Sequence, residues 1–419
     1  MGGFVGYRCS LCQHEYAPDQ VTYTCPKDGG NLDVLLDVRA IRRSTRPGEI
    51  GRCPEESIWR YLPLLPVEDP GHRGSALRSA GWTPLLRPRQ LATNLGLENL
   101  WVKDDGRNPT ASFKDRASAV AVARAQSTGA STIVTASTGN AGAALAGMAA
   151  AAGLPAVILA PRTAPPAKVA QLLIFGARVF LVEGTYDQAF DLTLQAAESF
   201  GWYCRNTGYN PFTAEGKKTA AFEICEQLTR ALGAAGEDRW AAPQAVVVSV
   251  GDGNIISGLH KGFRDLLDLG WIEAMPRLIG VQATGSAAIA NAYARGTEEI
   301  IPVRADTLAD SISVDLPRDG VRAVRAARQT GGSYVTVEDA QILAAIRTMG
   351  AAAIFAEPAA ATGYAGLEVA VRAGLISPSE SVVLVSTGSG LKDVRAAMQA
   401  AGEATVIEPR LDALQAALA

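Results

Sequence analysis

The stretch NPTASFKDRAS, residues 108–118, places a lysine where a helix is expected to begin. Ser112 and Asp115 are spaced as in a short capping box, so we predict a helix that starts here with Ser112 as its N-cap. Lys114 then falls in the first turn, where the positive end of the helix dipole disfavours an ammonium. A lysine in this position suits chemistry that needs the neutral amine.

Short apolar runs alternate with alanine-rich helical stretches on the C-terminal side of this lysine. The clearest runs are STIVTAS (131–137), LPAVILAP (154–161), RVFLVEG (178–184), AVVVSVG (245–251) and SVVLVSTGSG (381–390). Runs of Val, Ile and Leu without polar alternation are typical of strands buried on both faces, and strand–helix alternation implies parallel sheets with right-handed crossovers. We therefore predict an α/β architecture with twisted, mainly parallel sheets.

Length and charge limit the classes of protein that the chain can belong to. Its 419 residues exceed what one core normally holds, so two lobes are expected. A net charge of −3, from 39 basic and 42 acidic residues, argues against general binding of nucleic acid or anionic lipid. No apolar run approaches the roughly 20 residues that cross a bilayer, and the N-terminus lacks signal-peptide features. We expect a cytoplasmic protein with a small-molecule substrate, no nucleic-acid partner and no membrane association.

The first 37 residues show a separate pattern of short strand-like stretches, cysteines and turns. Two knuckles are outlined by Cys9, Cys12, Cys25 and Asp28. We predict a zinc-ribbon-like module over residues 1–37, in which Asp28 stands where a fourth cysteine is expected. Asp28 or His14 could complete a tetrahedral site with three thiolates, or the second knuckle could persist as a metal-free turn. The sequence leaves these options open, and we assign no metal ligand from it.

The turn Gly251-Asp252-Gly253-Asn254 follows a buried strand and opens a helix. In open α/β sheets ligands bind beyond the carboxyl ends of the strands, so such turns are expected to carry the site. This turn directs backbone N–H groups and a helix N-terminus at one point, as an anion cradle does. The dinucleotide fingerprint G-x-G-x-x-G does not fit, because the third glycine, Gly258, comes two positions late.

Two further turns carry small polar groups. Ser137–Gly142 opens a helix and offers neutral donors suited to a carboxylate and a phenolic oxygen. Thr387 follows the strand SVVLV, where its hydroxyl can donate to a ring nitrogen without requiring that nitrogen to be protonated. Together with Lys114 and the anion cradle, these turns supply what pyridoxal phosphate requires: a deprotonated lysine, a phosphate site and a partner for the pyridine nitrogen.

From about Gly81 to Asp393 the chain resembles the pyridoxal-phosphate enzymes of the tryptophan synthase β-subunit fold (fold type II), and within them the threonine synthases. The matching stretches are GWTPL, NPTASFKDR, ASTGNAGAALA, NPFTAEGKKTAAFEI, GDGN, EPAAATGYAG and STGSGLKD. The resemblance implies a two-domain enzyme beside the ribbon-like module. Its large cofactor-binding domain would comprise residues 38–108 and 216–419, and its small, mobile substrate domain residues 109–215. It also implies a homodimer.

The resemblance implies a role for each matching residue. Lys114 would attach the cofactor as a Schiff base and act as the catalytic base, with Phe113 against the ring. Asn140 would contact the phenolic oxygen and Thr387 would face the pyridine nitrogen. The cofactor phosphate would be bound by Gly251, Asp252, Gly253 and Asn254. The substrate would be bound by Ser137, Thr138, Gly139, Asn206 and Lys218.

The implied reaction converts O-phosphohomoserine and water to threonine and phosphate, by γ-elimination and β-addition. Threonine synthases commonly carry an arginine where this chain has Thr213, so the cation for the leaving phosphate must come from elsewhere. Arg205, Lys217 and Lys218 are candidates. A β-replacement enzyme acting on O-phosphoserine, similar to cysteate synthase, and a serine/threonine dehydratase are alternatives. A non-catalytic ligand-sensing module is a further alternative, against which the intact Lys114 argues.

Overall fold

The computed structural model describes residues 3–234 and 236–418 and contains three separate β-sheets. Its strands are β1 (Phe4–Cys9), β2 (Glu15–Tyr16), β3 (Leu32–Leu36), β4 (Leu85–Leu86), β5 (Asn99–Asp104), β6 (Ile133–Ala136), β7 (Ala156–Pro161), β8 (Arg178–Val182), β9 (Tyr203–Cys204), β10 (Ala245–Ser249), β11 (Arg277–Ala283), β12 (Ser333–Val337) and β13 (Ser381–Ser386). Its helices are α1 (Val38–Ser44), α2 (Pro47–Gly51), α3 (Arg89–Leu95), α4 (Lys114–Ser127), α5 (Asn140–Ala151), α6 (Pro166–Ile174), α7 (Tyr186–Phe200), α8 (Phe212–Ala231), α9 (Asn254–Leu269), α10 (Ala288–Ala294), α11 (Gly320–Gln329), α12 (Asp339–Ala351), α13 (Pro358–Arg372), α14 (Val394–Ala401) and α15 (Leu411–Leu418). Within the described residues, no helix combines the length and apolar character needed to span a membrane.

The largest sheet has six strands in the order β12-β11-β10-β13-β5-β4. Its neighbouring strands run parallel except for β4 and β5 at one edge. Every residue of the central strand β10 is buried. Val246 and Val248 pack with side chains of α8 and α9, whereas Ala245 and Val247 pack with side chains of α12 and α13. Helices therefore cover both faces of the sheet, as the unbroken apolar run predicted.

The second sheet has four parallel strands in the order β8-β7-β6-β9 and is built from residues 133–204. The helices α5, α6 and α7 connect its strands along the chain. The predicted α/β architecture with mainly parallel sheets is thus confirmed. The exact limits of the two domains remain a prediction, because the sheets define only the interior of each.

The third sheet is antiparallel, in the order β2-β1-β3, and belongs to the N-terminal segment. Phe4 and Tyr7 of β1 pack edge-on against Phe212, with ring centroids 5.9 and 6.4 Å apart. Phe212 is the first residue of α8. The ribbon-like segment is therefore docked on the α/β body, next to the N-terminus of a long buried helix.

The helix predicted from the opening stretch begins at Lys114, and the N-cap predicted for it is wrong. The hydroxyl of Ser112 is buried without a hydrogen-bond partner in the described part of the chain. The Asp115 carboxylate does not reach back to Ser112. It accepts hydrogen bonds from the hydroxyl of Thr110 and from the Thr110 backbone N–H, the latter at 2.6 Å.

Pairing with the chain after β13 explains this start. The Phe113 N–H donates to the carbonyl oxygen of Thr387 at 2.9 Å, and the Ser389 N–H donates to that of Ala111 at 3.1 Å. These bonds hold the segment before the helix alongside a distant part of the chain, which local sequence rules cannot anticipate. Lys114 is thereby placed at the N-terminus of α4 and beside the carboxyl end of β13.

Glycines bring α4, α8 and α9 into close contact. A Cβ added to Gly216 of α8 would lie 2.1 Å from the carbonyl oxygen of Arg116 in α4. A Cβ added to Gly262 of α9 would lie 2.4 Å from the carbonyl oxygen of Lys218 in α8. Because no larger residue allows this approach, α8 fixes the helix that starts with Lys114 relative to the helix that follows the GDGN turn.

Candidate active site

A cleft lies where the carboxyl ends of the two parallel sheets meet. Its main chamber has a volume of about 460 Å³, which is typical of small-molecule sites. The main chamber is lined by Lys114, residues 135–141, Arg205, Asp252 and Ser311, among others. A narrow chamber is lined by Lys114, residues 249–256, Glu357 and Thr387, among others. Lys114 therefore stands where the two chambers join.

Lys114 has the environment that a reactive amine needs. Burial lowers the pKa of its ammonium; the Glu357 carboxylate opposes this shift and the Arg205 guanidinium adds to it. The positive end of the α4 dipole acts in the same direction as burial. A lysine that loses its proton readily can attack a carbonyl carbon and later accept a proton.

The turn Gly251–Asn254, which the sequence predicts to be an anion cradle, lies at the N-terminus of α9. Gly253 has a φ of +90°, and a Cβ added there would lie 2.7 Å from the carbonyl oxygen of Asp319. The turn therefore requires glycine. Because α9 begins at Asn254, its first backbone N–H groups have no partner within the helix and are available to an anion. These residues fit the phosphate group of pyridoxal phosphate.

A second buried lysine, Lys217 of α8, lines the narrow chamber. Its ammonium donates a hydrogen bond to Oδ1 of Asn254, while Nδ2 of Asn254 donates to Asp319 at 2.7 Å. Burial, together with the charges of Lys114 and Arg205, lowers the pKa of Lys217 well below its ordinary value. The Asn254 side chain is thus engaged by the protein, so Lys217 and the backbone N–H groups of the turn are the groups left to bind phosphate.

Asn140 begins α5, and its side chain reaches across the cleft to Glu357. Nδ2 of Asn140 donates to the two carboxylate oxygens of Glu357 at 2.8 and 3.0 Å. Burial raises the pKa of Glu357, and the Asn140 hydrogen bond and the charge of Lys114 oppose the shift. No role for Glu357 was predicted from the sequence, although Glu357 opens the matching stretch EPAAATGYAG and directly precedes Pro358, which begins α13.

Thr387 lines the cleft, whereas Phe113 is buried in the protein interior. Thr387 follows β13 and lines the narrow chamber. Phe113 is fully buried, and its ring centroid lies 5.5 Å from the guanidinium carbon of Arg116. Phe113 therefore packs in the interior next to Lys114 in the chain, and it is not among the residues that line the two chambers.

The turn after β6 brings its predicted substrate residues to the main chamber. The chamber is lined by Ser137, Thr138 and Gly139. Asn206 holds the strand end before them: its Oδ1 accepts hydrogen bonds from the Ala136 N–H at 2.8 Å and from the Thr135 hydroxyl at 3.0 Å. Asn206 therefore holds the end of β6, from which this turn begins. Its own Nδ2 is buried without a partner among the described residues.

Lys218 is not brought to the cleft. Its ammonium pairs with Glu215 at 2.5 Å and with Asp265 of α9 at 2.8 Å. Thr213 is fully buried, and its hydroxyl donates to the carbonyl oxygen of Asn210 at 2.8 Å. Neither residue supplies a free positive charge to a substrate.

Arg205 follows β9 and is fully buried in the wall of the main chamber. Its Nε donates to the hydroxyl of Ser118 at 3.1 Å and its Nη1 to that of Thr207 at 2.8 Å. Its Nη2 has no partner within the described residues. Burial lowers the pKa of Arg205 to about 10, which leaves it cationic at neutral pH. A buried guanidinium with neutral partners and one free edge is suited to an anionic ligand.

A lysine with a lowered pKa beside an anion cradle is the arrangement that pyridoxal phosphate requires, so the site is that of a pyridoxal-phosphate enzyme. A family model described as pyridoxal-phosphate dependent enzyme matches residues 77–388, and the chain belongs to that family. The threonine synthases of Methanocaldococcus jannaschii and Methanosarcina acetivorans are each 37% identical to the chain. These matches cover 97% and 98% of the chain and 98% of each relative.

Solved structures share the fold at lower identity. The processed form of threonine deaminase isoform 2 from Solanum lycopersicum gives a TM-score of 0.66 at 23% identity and covers 87% of this chain and 94% of that chain. Maize serine racemase gives 0.63 at 21% identity and covers 76% and 91%. The predicted fold type II, the pyridoxal phosphate cofactor and the assignment as a lyase are confirmed.

Proposed function

We propose that the protein is a threonine synthase that converts O-phosphohomoserine and water to threonine and phosphate. Similarity to threonine synthases over nearly the whole chain supports the activity. One observation in the cleft carries the choice of a phosphorylated substrate: the buried guanidinium of Arg205 has a free Nη2 in the same chamber as Lys114.

The chain's own residues supply the proton transfers. When bound, pyridoxal phosphate delocalises the electrons released when a bond to the substrate α-carbon breaks. Lys114 lies at the junction of the two chambers, where its neutral Nζ takes the proton from that carbon and returns it later. The turn Ser137–Gly139 offers hydroxyl and backbone N–H groups to the substrate carboxylate. Lys217 and the turn Gly251–Asn254 hold the cofactor phosphate.

Arg205 is the residue best placed to bind the leaving phosphate. Thr213 is neutral and already hydrogen-bonded, and Lys218 is paired with Glu215 and Asp265. Lys217 faces the cofactor cradle. Leaving a cation buried without an anionic partner costs several kcal/mol, and a bound substrate phosphate offsets this cost through charge-assisted hydrogen bonds.

A panel of substrates tests the proposed function. Purified holoenzyme is incubated with O-phosphohomoserine, with O-phosphoserine in the presence and absence of sulfite, with serine, and with threonine. Phosphate release accompanied by threonine formation is expected from O-phosphohomoserine. Phosphate release from O-phosphoserine alone would instead assign a β-replacement reaction, for which Arg205 is equally suited. Ammonia release from serine or threonine, without turnover of either phosphorylated compound, would assign a dehydratase.

Replacing Arg205 by methionine is expected to lower kcat/KM for O-phosphohomoserine by about 30- to 4000-fold, because removing one partner of a buried charge pair typically costs about 2–5 kcal/mol. Steady-state kinetics measure the effect, and inorganic phosphate should also inhibit the variant more weakly. The visible absorption of the bound cofactor is expected to persist. Arg178→Met, at an exposed position, is the matched control. Wild-type kcat/KM in R205M would show that the leaving phosphate binds elsewhere.

We also propose that the enzyme is a cytoplasmic homodimer with the domain limits 38–108 plus 216–419 and 109–215. The four-stranded sheet lies within 109–215 and the six-stranded sheet outside it, which supports these limits. The amphipathic helix α15 buries none of its described side chains within the chain, which is consistent with a partner subunit. Analytical ultracentrifugation is expected to give twice the chain mass; a monomer at micromolar concentration would contradict the dimer.

A further inference from the structure

We propose that the ribbon-like segment binds one zinc ion through the thiolates of Cys9, Cys12 and Cys25 and the carboxylate of Asp28. One ligand atom from each of these residues lies within 4.8 Å of all the others. None of the four lines the cleft around Lys114. The site is therefore separate from the cofactor, and it does not depend on the reaction assigned to the cleft.

The distances between ligand atoms match a tetrahedral ion. A Zn–S bond of about 2.3 Å gives a sulfur–sulfur edge of about 3.8 Å, and a Zn–O bond of about 2.1 Å gives a sulfur–oxygen edge of about 3.6 Å. Sγ of Cys12 and Cys25 are 3.7 Å apart, and Sγ of Cys9 lies 3.3 and 3.6 Å from the two oxygens of Asp28. The side chains are thus already spaced around a common centre. A disulfide would need two sulfurs at about 2.05 Å, far closer than those of Cys12 and Cys25.

The surrounding backbone is arranged for thiolate ligands. The Leu11 N–H donates to Sγ of Cys9 at 3.3 Å, and the Gly30 N–H donates to Oδ1 of Asp28 at 2.9 Å. A Cβ added to Gly30 would lie 2.8 Å from Sγ of Cys9 and 2.9 Å from that carboxylate oxygen. Donors of this kind stabilise and orient the first ligands of a metal, and glycine is needed for the second knuckle to approach the first.

The ligand set favours zinc and settles the choice of fourth ligand. Three thiolates and one carboxylate in tetrahedral positions are typical of zinc, whereas calcium and magnesium prefer oxygen alone. His14, the alternative fourth ligand, does not belong to the cluster; its ring packs against Tyr16, with centroids 4.7 Å apart. Asp28 therefore takes the place of the missing fourth cysteine.

The ion would brace the Arg205 loop, which comprises residues 204–209. Between the second and third ligands, the Tyr23 ring stacks on Tyr209 at 4.7 Å, and its hydroxyl accepts a hydrogen bond from the Cys204 N–H at 2.9 Å. Just after the fourth ligand, Nδ2 of Asn31 donates to the carbonyl oxygen of Gly208 at 2.8 Å. Tyr23 and Asn31, which flank the second knuckle, therefore contact and hydrogen-bond the loop that carries Arg205.

Metal analysis and cobalt substitution of the full-length holoenzyme test the site. Mass-spectrometric metal analysis is expected to find about one zinc per chain, lost in the double variant Cys12→Ser/Cys25→Ser and retained in the matched control Cys53→Ser. Cobalt(II) exchanged into the wild-type chain should give thiolate charge-transfer bands and intense visible bands of a tetrahedral ion. Asp28→Ala should bind zinc at least about 10-fold more weakly.

Two results would overturn the proposal. One is a wild-type chain that retains no zinc after reconstitution and gives no tetrahedral cobalt spectrum. The other is a double variant with wild-type zinc content. If the double variant fails to fold, the cobalt spectrum of the wild-type chain still shows whether the tetrahedral site exists. Chelation is expected to increase hydrogen exchange in residues 204–209 while the cofactor absorption persists; unchanged exchange after proven metal loss would remove the bracing role.

Discussion

Replacing Lys114 by alanine is expected to lower kcat by at least about 10³-fold and to remove the visible absorption of the bound cofactor. Lys114 both attaches the cofactor and moves the substrate proton, and loss of a positioned general base alone typically costs about 10²–10⁴-fold. Lys114 lines both chambers, and burial lowers the pKa of its ammonium, which favours the neutral amine that both roles require. Stopped-flow kinetics and absorption spectroscopy measure the two effects.

Two other lysines serve as controls for this variant. Lys27→Ala, at an exposed position, should leave both readouts unchanged. Lys217→Ala should keep the visible absorption at saturating cofactor but bind the cofactor more weakly, because Lys217 contributes to the phosphate cradle. If K114A retained the visible absorption, the covalent attachment would have to be reassigned, with Lys217 the nearest candidate.

Replacing Arg116 by methionine is expected to lower the free energy of unfolding by about 3–5 kcal/mol, because it leaves the buried Asp105 carboxylate without its cationic partner and removes one of the two cations that pair with Glu223. The Arg116 guanidinium pairs with Asp105 at 2.6 Å and with Glu223 at 2.5 Å, and Lys103 pairs with Glu223 at 2.7 Å. All four side chains are fully buried. This network joins α4, which begins at Lys114, to α8 and to the end of β5.

Urea unfolding followed by circular dichroism measures this loss. The matched control is Arg52→Met, which breaks an ion pair with Glu237 whose side chains are 64% and 60% exposed. That variant should lose no more than about 1 kcal/mol. A loss of similar size in R116M would show that the buried network contributes little to stability.

Local sequence patterns predicted the central strand and the turn that follows it. The run AVVVSVG contains β10, Ala245–Ser249, and the anion cradle Gly251–Asn254 comes directly after. These features could be read from the residues themselves. An unbroken β-branched run is favoured in a strand covered on both faces, and a turn with positive φ selects glycine.

The direction of a side chain on a known helix could not be predicted in the same way. Successive residues of an α-helix point about 100° apart, so Lys217 and Lys218 face different surroundings. Lys217 faces the cradle and Lys218 faces Asp265 of α9. Which lysine enters the cleft is decided by where α9 packs, and that information is absent from the helix itself.

The other features that the sequence did not predict depend on contacts between distant parts of the chain. Glu357 meets Asn140 across 217 positions of sequence, and the Ser112 cap fails because its segment pairs with residues after β13. The free edge of Arg205 is likewise visible only once Ser118 and Thr207 are in place around it. Residue types identified the chemistry, but the tertiary packing determined which groups are free to perform it.

Asn31 of the ribbon-like segment ties the two walls of the cleft to each other. Its amide donates to the carbonyl oxygens of Gly208 and Arg318, at 2.8 and 3.2 Å, and these two residues belong to opposite walls. On the far rim the walls are joined by the ion pair of Lys168 and Asp310, which is partly exposed and weakened by salt. The ribbon-like segment therefore links the two walls through uncharged hydrogen bonds, which salt screens far less than an exposed ion pair.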